Sequence, residues 1–205
     1  MRTLAIETAT ETCSVALFEG DRLLAFAHER VGRGHAERLI PMIGELPERG
    51  RAARIIVDCG PGSFTGVRVG LAAARALGFA WGAALSGYSS LTLIAATAFA
   101  RAPDAETLAV ALIGGHGEYF VQCFARAGMH SIAPLASLKP DAAAALCGAD
   151  LVVGSGAAAM TAAGATGPAL AIEADARQAM LLPAHCVSLP PRPIYGRAPD
   201  ARLPG

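Results

Sequence analysis

Lysine is almost absent from this chain of 205 residues. Lys139 is the single example, and arginine supplies the rest of the 17 basic side chains. With 17 acidic residues the formal net charge is zero, whereas a protein that grips nucleic acid through its overall charge usually carries a basic excess. Charged residues make up only 17% and aromatic ones 5%, against 53% hydrophobic. That balance excludes a disordered chain and suffices for one large domain or two small ones. The five cysteines (Cys13, Cys59, Cys123, Cys147 and Cys186) are odd in number and form no CxxC, which suits reduced thiols in a cytoplasmic protein better than a disulfide framework. No apolar run follows the basic start of MRTLAIETAT, so no signal peptide is expected. The uncharged run 76–100 is long enough to span a bilayer. It is rich in alanine, however, and interrupted by Gly82, Ser86, Gly87, Tyr88, Ser89 and Ser90, as two buried elements joined by a polar turn would be. No histidine lies between His35 and His116, and none of the five stands at HxxxH, HExxH or Cys/His spacing, so a metal centre finds no ligand pattern.

What is present is a repeated order of elements. Periodicity predicts strands at Thr3–Thr8, Cys13–Phe18 and Arg22–Ala27, the last two joined by the hairpin turn Glu19-Gly20-Asp21. A helix follows from His35 to Leu46, with Leu39, Met42, Ile43 and Leu46 on one face and Pro47 as its stop. Then come a strand at Ile55–Cys59, the loop Gly60-Pro61-Gly62-Ser63-Phe64-Thr65-Gly66, a helix to Trp81, a strand near Ala83–Leu85 and a helix at Ser89–Phe99. After Arg101-Ala102-Pro103-Asp104 the order returns. Strands are expected at Thr107–Ile113, Tyr119–Ala125 and His130–Leu135, and a helix at Asp141–Leu146. A strand at Leu151–Val153 runs into Gly154-Ser155-Gly156, and a helix then reaches Ala163. A strand at Ala169–Ile172 and a helix at Ala174–Leu182 close the series. Strands alternating with helices imply an α/β fold with mixed sheets covered on both faces. A unit of this kind used twice is the plan of the actin-like ATPase, ribonuclease-H-like fold. Two lobes are therefore expected, each a mixed sheet flanked by helices, at 1–101 and 102–205.

Three features invite a chemical reading. The loop GPGSFTG (Gly60, Gly62, Ser63, Thr65 and Gly66, with Arg68 just beyond) opens a helix, and a helix N-terminus with free N–H groups suits an anion. No Gly-Lys-Ser/Thr follows, the third glycine falls too late for the dinucleotide fingerprint, and GxSxG is absent. A strand-to-helix turn capped by Ser63 or Thr65 is the simpler account. Glu7, in Glu7-Thr8-Ala9-Thr10, stands where actin-like kinases and ATPases carry an acid that orients metal-bound water, but the turn lacks the glycine a phosphate needs. A polar hairpin explains it as well. The helix Val67–Trp81 is apolar nearly all round, with Gly70, Ala74 and Gly78 forming a smooth strip of the kind that lets helix backbones approach closely. Either the helix at His35 covers it, or both helices face a partner subunit across an interface resembling a divided core. His35 suits a cap or an interface contact, and His116 a hairpin turn.

MRTLAIETATETCSVAL, GRGHAERLIPMI, GPGSFTGVRVGLAAARAL and GYSSLTLIA, in that order, together with the closing Pro193-Ile194-Tyr195-Gly196-Arg197, resemble the bacterial TsaB (YeaZ) family of tRNA threonylcarbamoyladenosine biosynthesis proteins. The resemblance is strongest over 1–100. It implies a non-catalytic accessory subunit that pairs with and activates the TsaD-type transferase, which modifies the adenosine next to the anticodon. A TsaE-type ATPase docks on that pair, some members form homodimers through the same surface, and tRNA is touched only indirectly. Carried over to this sequence, the interface implicates His35, Leu39, Met42, Ile43, Leu71, Ala74 and Gly78. The metal-binding HxxxH of the TsaD-type subunit would fall near 87–93, where this chain has no histidine, so no cofactor is expected, with nucleotide at the lobe junction left open. The older glycoprotease label of the M22 type finds no protease site here. Pro47-Glu48-Arg49-Gly50-Arg51 is shorter than the family's usual linker, and the second lobe is compact. The alternatives are an actin-like small-molecule kinase or ATPase acting alone through Glu7, and a metallopeptidase.

Overall fold

A computed structural model describes residues 1–146 and 148–197. Cys147 and the end of the expected second lobe, 198–205, lie outside the described residues. The first half contributes β1 (Arg2–Glu7), β2 (Thr12–Glu19), β3 (Arg22–Arg30), α1 (His35–Glu45), β4 (Arg54–Asp58), α2 (Phe64–Trp81), β5 (Ala84–Tyr88) and α3 (Ser90–Arg101). The second contributes β6 (Thr107–Gly115), β7 (Glu118–Ala125), β8 (His130–Ser131), β9 (Ala136–Leu138), α4 (Pro140–Ala144), β10 (Leu151–Val153), α5 (Ala157–Ala162) and β11 (Ala169–Leu170).

Each half builds its own sheet, ordered β3-β2-β1-β4-β5 and β11-β10-β6-β7-β8, with β9 also on β7. In each, the opening strand pairs antiparallel with the second and parallel with the strand that precedes a glycine loop, β4 or β10. Antiparallel strands followed by parallel ones reached through helical crossovers, twice over, make the two-lobed actin-like plan that the element order predicts.

Alternation along the strands sorts the core into layers. Leu4, Ile6, Val15, Leu17, Ile55 and Val57 point to α1 and α2 and pack with Leu39, Met42, Ile43, Val67, Leu71 and Ala74. Their neighbours Ala5, Ala16, Phe18 and Ile56 point the other way, into a cluster holding α3 and the inner face of the second sheet through Leu108, Val110 and Val153. The outer face of the second sheet packs on Ala143 of α4 and on Ala157 and Met160 of α5. Thus α3 lies between the sheets and belongs to the core of both, which is why it is buried along almost its whole length. None of the described helices is long and apolar enough to cross a membrane.

Two expected elements differ. The strand expected at His130–Leu135 is only the two-residue β8, and β9 starts beyond it at Ala136, with Pro134, which has no N–H to give a ladder, between them. The α-helix expected at Ala174–Leu182 is a 3-10 turn at Ala176–Leu181, started by the Asp175 carboxylate accepting the Arg177 N–H at 2.9 Å and ended before Pro183. The cysteines need one amendment: Cys13, Cys59 and Cys186 are free thiols, whereas Cys123 is disulfide-bonded. The segment after the turn runs back to the first sheet. Gly87 and Leu189 exchange backbone hydrogen bonds, and the Ile194 N–H donates to Cys59 O at 2.7 Å.

Candidate functional site

β1 and β4 are adjacent parallel strands in register Ile6↔Val57, so the acids that end them, Glu7 and Asp58, emerge side by side. Both are fully buried. Glu7 Oε1 accepts the Ala9 N–H at 2.9 Å, and Asp58 Oδ1 accepts the Gly60 N–H at 2.9 Å. Tyr88 at the end of β5 donates its hydroxyl to Ile6 O at 2.8 Å and lies 3.4 Å from Glu7 Oε2. Burial, and then the neighbouring Asp58 charge, hold the Glu7 carboxyl well above the usual carboxylate range; burial also raises Asp58. Burial beside a second carboxyl opposes ionisation of both, so Glu7 holds its proton to higher pH than an exposed glutamic acid does. Asp58 Oδ2 is buried and has no hydrogen-bond partner among the described residues.

The glycine loop is packed against the turn after β1. A Cβ on Gly62 would run into the Ala9 carbonyl and one on Gly66 into the Thr8 carbonyl, both far inside the 3.0 Å that real Cβ atoms keep. One on Gly70 would overlap the Thr8 hydroxyl. The Ser63 N–H donates to Ala9 O at 2.6 Å, Thr8 Oγ1 to Gly66 O at 2.8 Å, and Ser90 Oγ to Pro61 O at 2.7 Å. Ser63, not Thr65, caps α2 by accepting the Gly66 N–H at 3.2 Å. Thr65 is exposed. His35 fixes the other side of the same turn: its Nε2 donates to Thr10 O at 2.9 Å, with Thr12 O at 3.2 Å. The glycine loop and the first turns of α2 thus lie directly on the Thr8–Ala9 backbone, with no room for a side chain between them. The glycines are there because α2 lies on that backbone.

Glu7 lies in the β1–β2 hairpin, paired with Ser14, as the last residue of β1 before the turn. It is a fully buried acid whose carboxyl is held well above the usual range. Among the described residues no group of three or more His, Cys, Asp or Glu side chains could hold a metal ion.

The seven residues assigned to a partner surface are distributed differently from expectation. His35, Leu39, Met42, Ile43, Leu71, Ala74 and Gly78 are all buried within the chain. The strip Gly70, Ala74, Gly78 faces inward, Gly70 onto Thr8 and Gly78 onto the start of β5, with Ala83 O 3.7 Å from a Cβ there. The solvent-exposed positions of α1 and α2 are the residues between them. Ile40 on α1 and Phe79 on α2 are 52% and 93% exposed, and Ala72 and Ala76 are exposed beside them. His116 sits at positive φ in the β6–β7 turn, as a hairpin residue.

Sequence reasoning passed over Asp58, although both it and Glu7 terminate apolar strands, which is a readable sign of an acid at a sheet end. It also passed over the contact of Arg68 with the C-terminal segment: Arg68 Nη2 donates to Tyr195 Oη at 3.2 Å and its guanidinium carbon lies 3.5 Å from the Phe64 ring centroid.

The model of the TsaD family, described as tRNA N6-adenosine threonylcarbamoyltransferase, matches residues 27–147, more than half of the chain. The chain belongs to the TsaD family. Within it the likeness of this TsaD-family chain runs to the TsaB (YeaZ) proteins, as the sequence resemblance implies. It is 38% identical over 126 residues to the tRNA threonylcarbamoyladenosine biosynthesis protein TsaB of Haemophilus influenzae, covering 58% of this chain and 52% of that protein. It is 36% identical over 106 residues to TsaB of Escherichia coli, covering 49% and 46%. In these alignments the chain spans about half the length of the curated relatives it matches. The structure of YeaZ from Pseudomonas aeruginosa superposes with a TM-score of 0.80 at 26% identity, over 95% of this chain and 99% of that one.

Proposed function

We propose that this chain is an accessory, non-catalytic subunit in the formation of tRNA threonylcarbamoyladenosine, pairing with a TsaD-type transferase and, through that pair, with a TsaE-type ATPase. The names of its relatives support the pathway. The observation that carries the non-catalytic role is the closed glycine loop: it lies directly on the Thr8 and Ala9 carbonyls, and the nearby acid Glu7 is fully buried with its carboxyl raised well above the usual range. The outer faces of α1 and α2, with Ile40, Ala72, Ala76 and Phe79 in solvent, offer an apolar helical surface of the kind an obligate partner covers. The same surface suits a homodimer. His35, Leu39, Met42, Ile43, Leu71, Ala74 and Gly78 form the inner layer that holds the two helices in place behind it.

Co-purification with the TsaD-type subunit from the same cell tests the pairing. The wild type is expected to elute with it, and Phe79→Asp, which sets a charge in the covered contact, to lose it by at least about tenfold in affinity while melting normally. Full tRNA modification by the TsaD-type and TsaE-type partners in the absence of this chain would refute the role.

A further inference from the structure

The zero net charge conceals a segregation. No acid occurs between Asp58 and Asp104, and none between Asp175 and the last described residue, Arg197. The first of these stretches contains α2 and the second the C-terminal segment, and the fold brings them onto one face. Arg75 Nη2 donates to Pro191 O at 2.7 Å, the Ile194 N–H to Cys59 O at 2.7 Å, and Arg68 Nη2 to Tyr195 Oη at 3.2 Å. Arg68 and Arg75 thus spend donors on neutral oxygens, and among the described residues neither is paired with a carboxylate. Arg192 is exposed beside them. Arg197, 4.0 Å from Glu118, is left out of the group. Two rings complete it: Phe64, 60% exposed, and Tyr195, 59% exposed, have centroids 6.4 Å apart.

We propose that this face binds a single-stranded nucleic-acid segment, with Arg68, Arg75 and Arg192 on its phosphates and Phe64 and Tyr195 against its bases. Arginines interleaved with open rings are the means by which proteins hold single strands with little sequence preference. An acidic protein surface would satisfy the arginines but give the two rings no role. At about 100° per residue, Phe64, Arg68 and Arg75 share one edge of α2, while Val69 and Ala73 lie on the other. Phe79 stands about 60° round the helix from Phe64 and roughly 22 Å further along, at i,i+4 from Arg75, so the strand's far end adjoins the proposed partner surface. Nothing in the cluster depends on that pairing.

Fluorescence anisotropy of a fluorescein-labelled short oligouridylate, titrated with the whole chain, tests the proposal. Binding is expected with a dissociation constant of about 10⁻⁶ to 10⁻⁴ M, weakening as salt rises. Arg68→Ala should lower the salt slope by about one, and Phe64→Ala and Tyr195→Ala should each weaken binding about tenfold. Tyr195→Phe, which keeps the ring, should retain most of it. Arg22→Ala, on the β2–β3 hairpin, should bind like the wild type, with all melting temperatures unchanged. Absence of binding, binding indifferent to Tyr195→Ala, or equal binding of labelled polyglutamate would overturn it; the last result would indicate an acidic protein partner.

Discussion

Gly60–Gly66 follows β4 in the first sheet as Gly154–Gly156 follows β10 in the second; the first leans back on the turn that ends β1, the second on β6, the opening strand of its own sheet. The Ser63 N–H donates to Ala9 O at 2.6 Å, and the Gly156 N–H to Ala111 O at 2.9 Å. A Cβ on Gly62 would strike the Ala9 carbonyl, and one on Gly154 the Ala111 carbonyl. The two halves thus reach the same steric solution with no visible sequence similarity. What separates them is the filling. Glu7 and Asp58 crowd the first loop, which launches an α2 of 18 residues. The second is bordered by Ala111 and Val153 and launches an α5 of six. Glycine at such a loop therefore reports close backbone approach and does not by itself report a ligand.

The comparison is broken most forcefully at the points of approach. Gly62→Ala places a methyl against backbone that cannot move without losing the Ser63–Ala9 bond, and is expected to cost about 3 kcal/mol, lowering the melting temperature by roughly 10 °C. Gly156→Ala meets the half-buried ring of Tyr119 instead. A ring can turn aside, so about 1–2 kcal/mol is expected there. Urea unfolding of both variants measures the difference, and equal losses would mean that the loops are packed alike.

A pH series sharpens the contrast in chemistry. The folded chain keeps a proton on Glu7 at pH values where an exposed glutamic acid, with a pKa near about 4.3, has released it. The folded state then binds more protons than the unfolded one, so this group's contribution is fully present below about pH 4.3. It is lost as pH rises towards the raised value, at up to about 1.4 kcal/mol per pH unit. Glu7→Gln keeps the shape and removes the titration. Calorimetric melts between pH 5 and pH 8 should show it gaining on the wild type as pH rises, whereas Gly156→Ala, far from any such acid, should lose the same amount at both.

The element order was legible because its signals are local: apolar strands, Pro47 as a stop, a glycine loop with a serine at the helix start. The fate of α2 was not. Its apolar character all round mixes an inner face, Gly70, Ala74 and Gly78 on the sheet, with an outer face of exposed alanines, and a four-residue repeat marks a close approach without naming what approaches. The gap between β8 and β9 holds a single proline, Pro134. Asp58 beside Glu7, and Tyr195 beside Arg68, are pairings across 51 and 127 residues, and nothing in a local window encodes them. Net charge is silent for a related reason: acids and arginines cancel in the sum, and folding decides which acid-free stretches share a face.

The smallest expected effect concerns the caps. Ser63 Oγ accepts the Gly66 N–H at 3.2 Å, satisfying one of the donors α2 would otherwise leave open. Ser155 in the second loop does not cap α5; its hydroxyl accepts the Ile113 N–H of β6 at 3.1 Å in solvent. Ser63→Ala should therefore cost about 1 kcal/mol, and Ser155→Ala no more than about 0.5 kcal/mol, since water replaces an exposed bond. Parallel denaturant titrations resolve a gap of that size. If Ser155→Ala proved the costlier, the six-residue α5 would depend on its loop more than α2 does, and the first loop's serine would be explained by its approach to Ala9 and not by its cap.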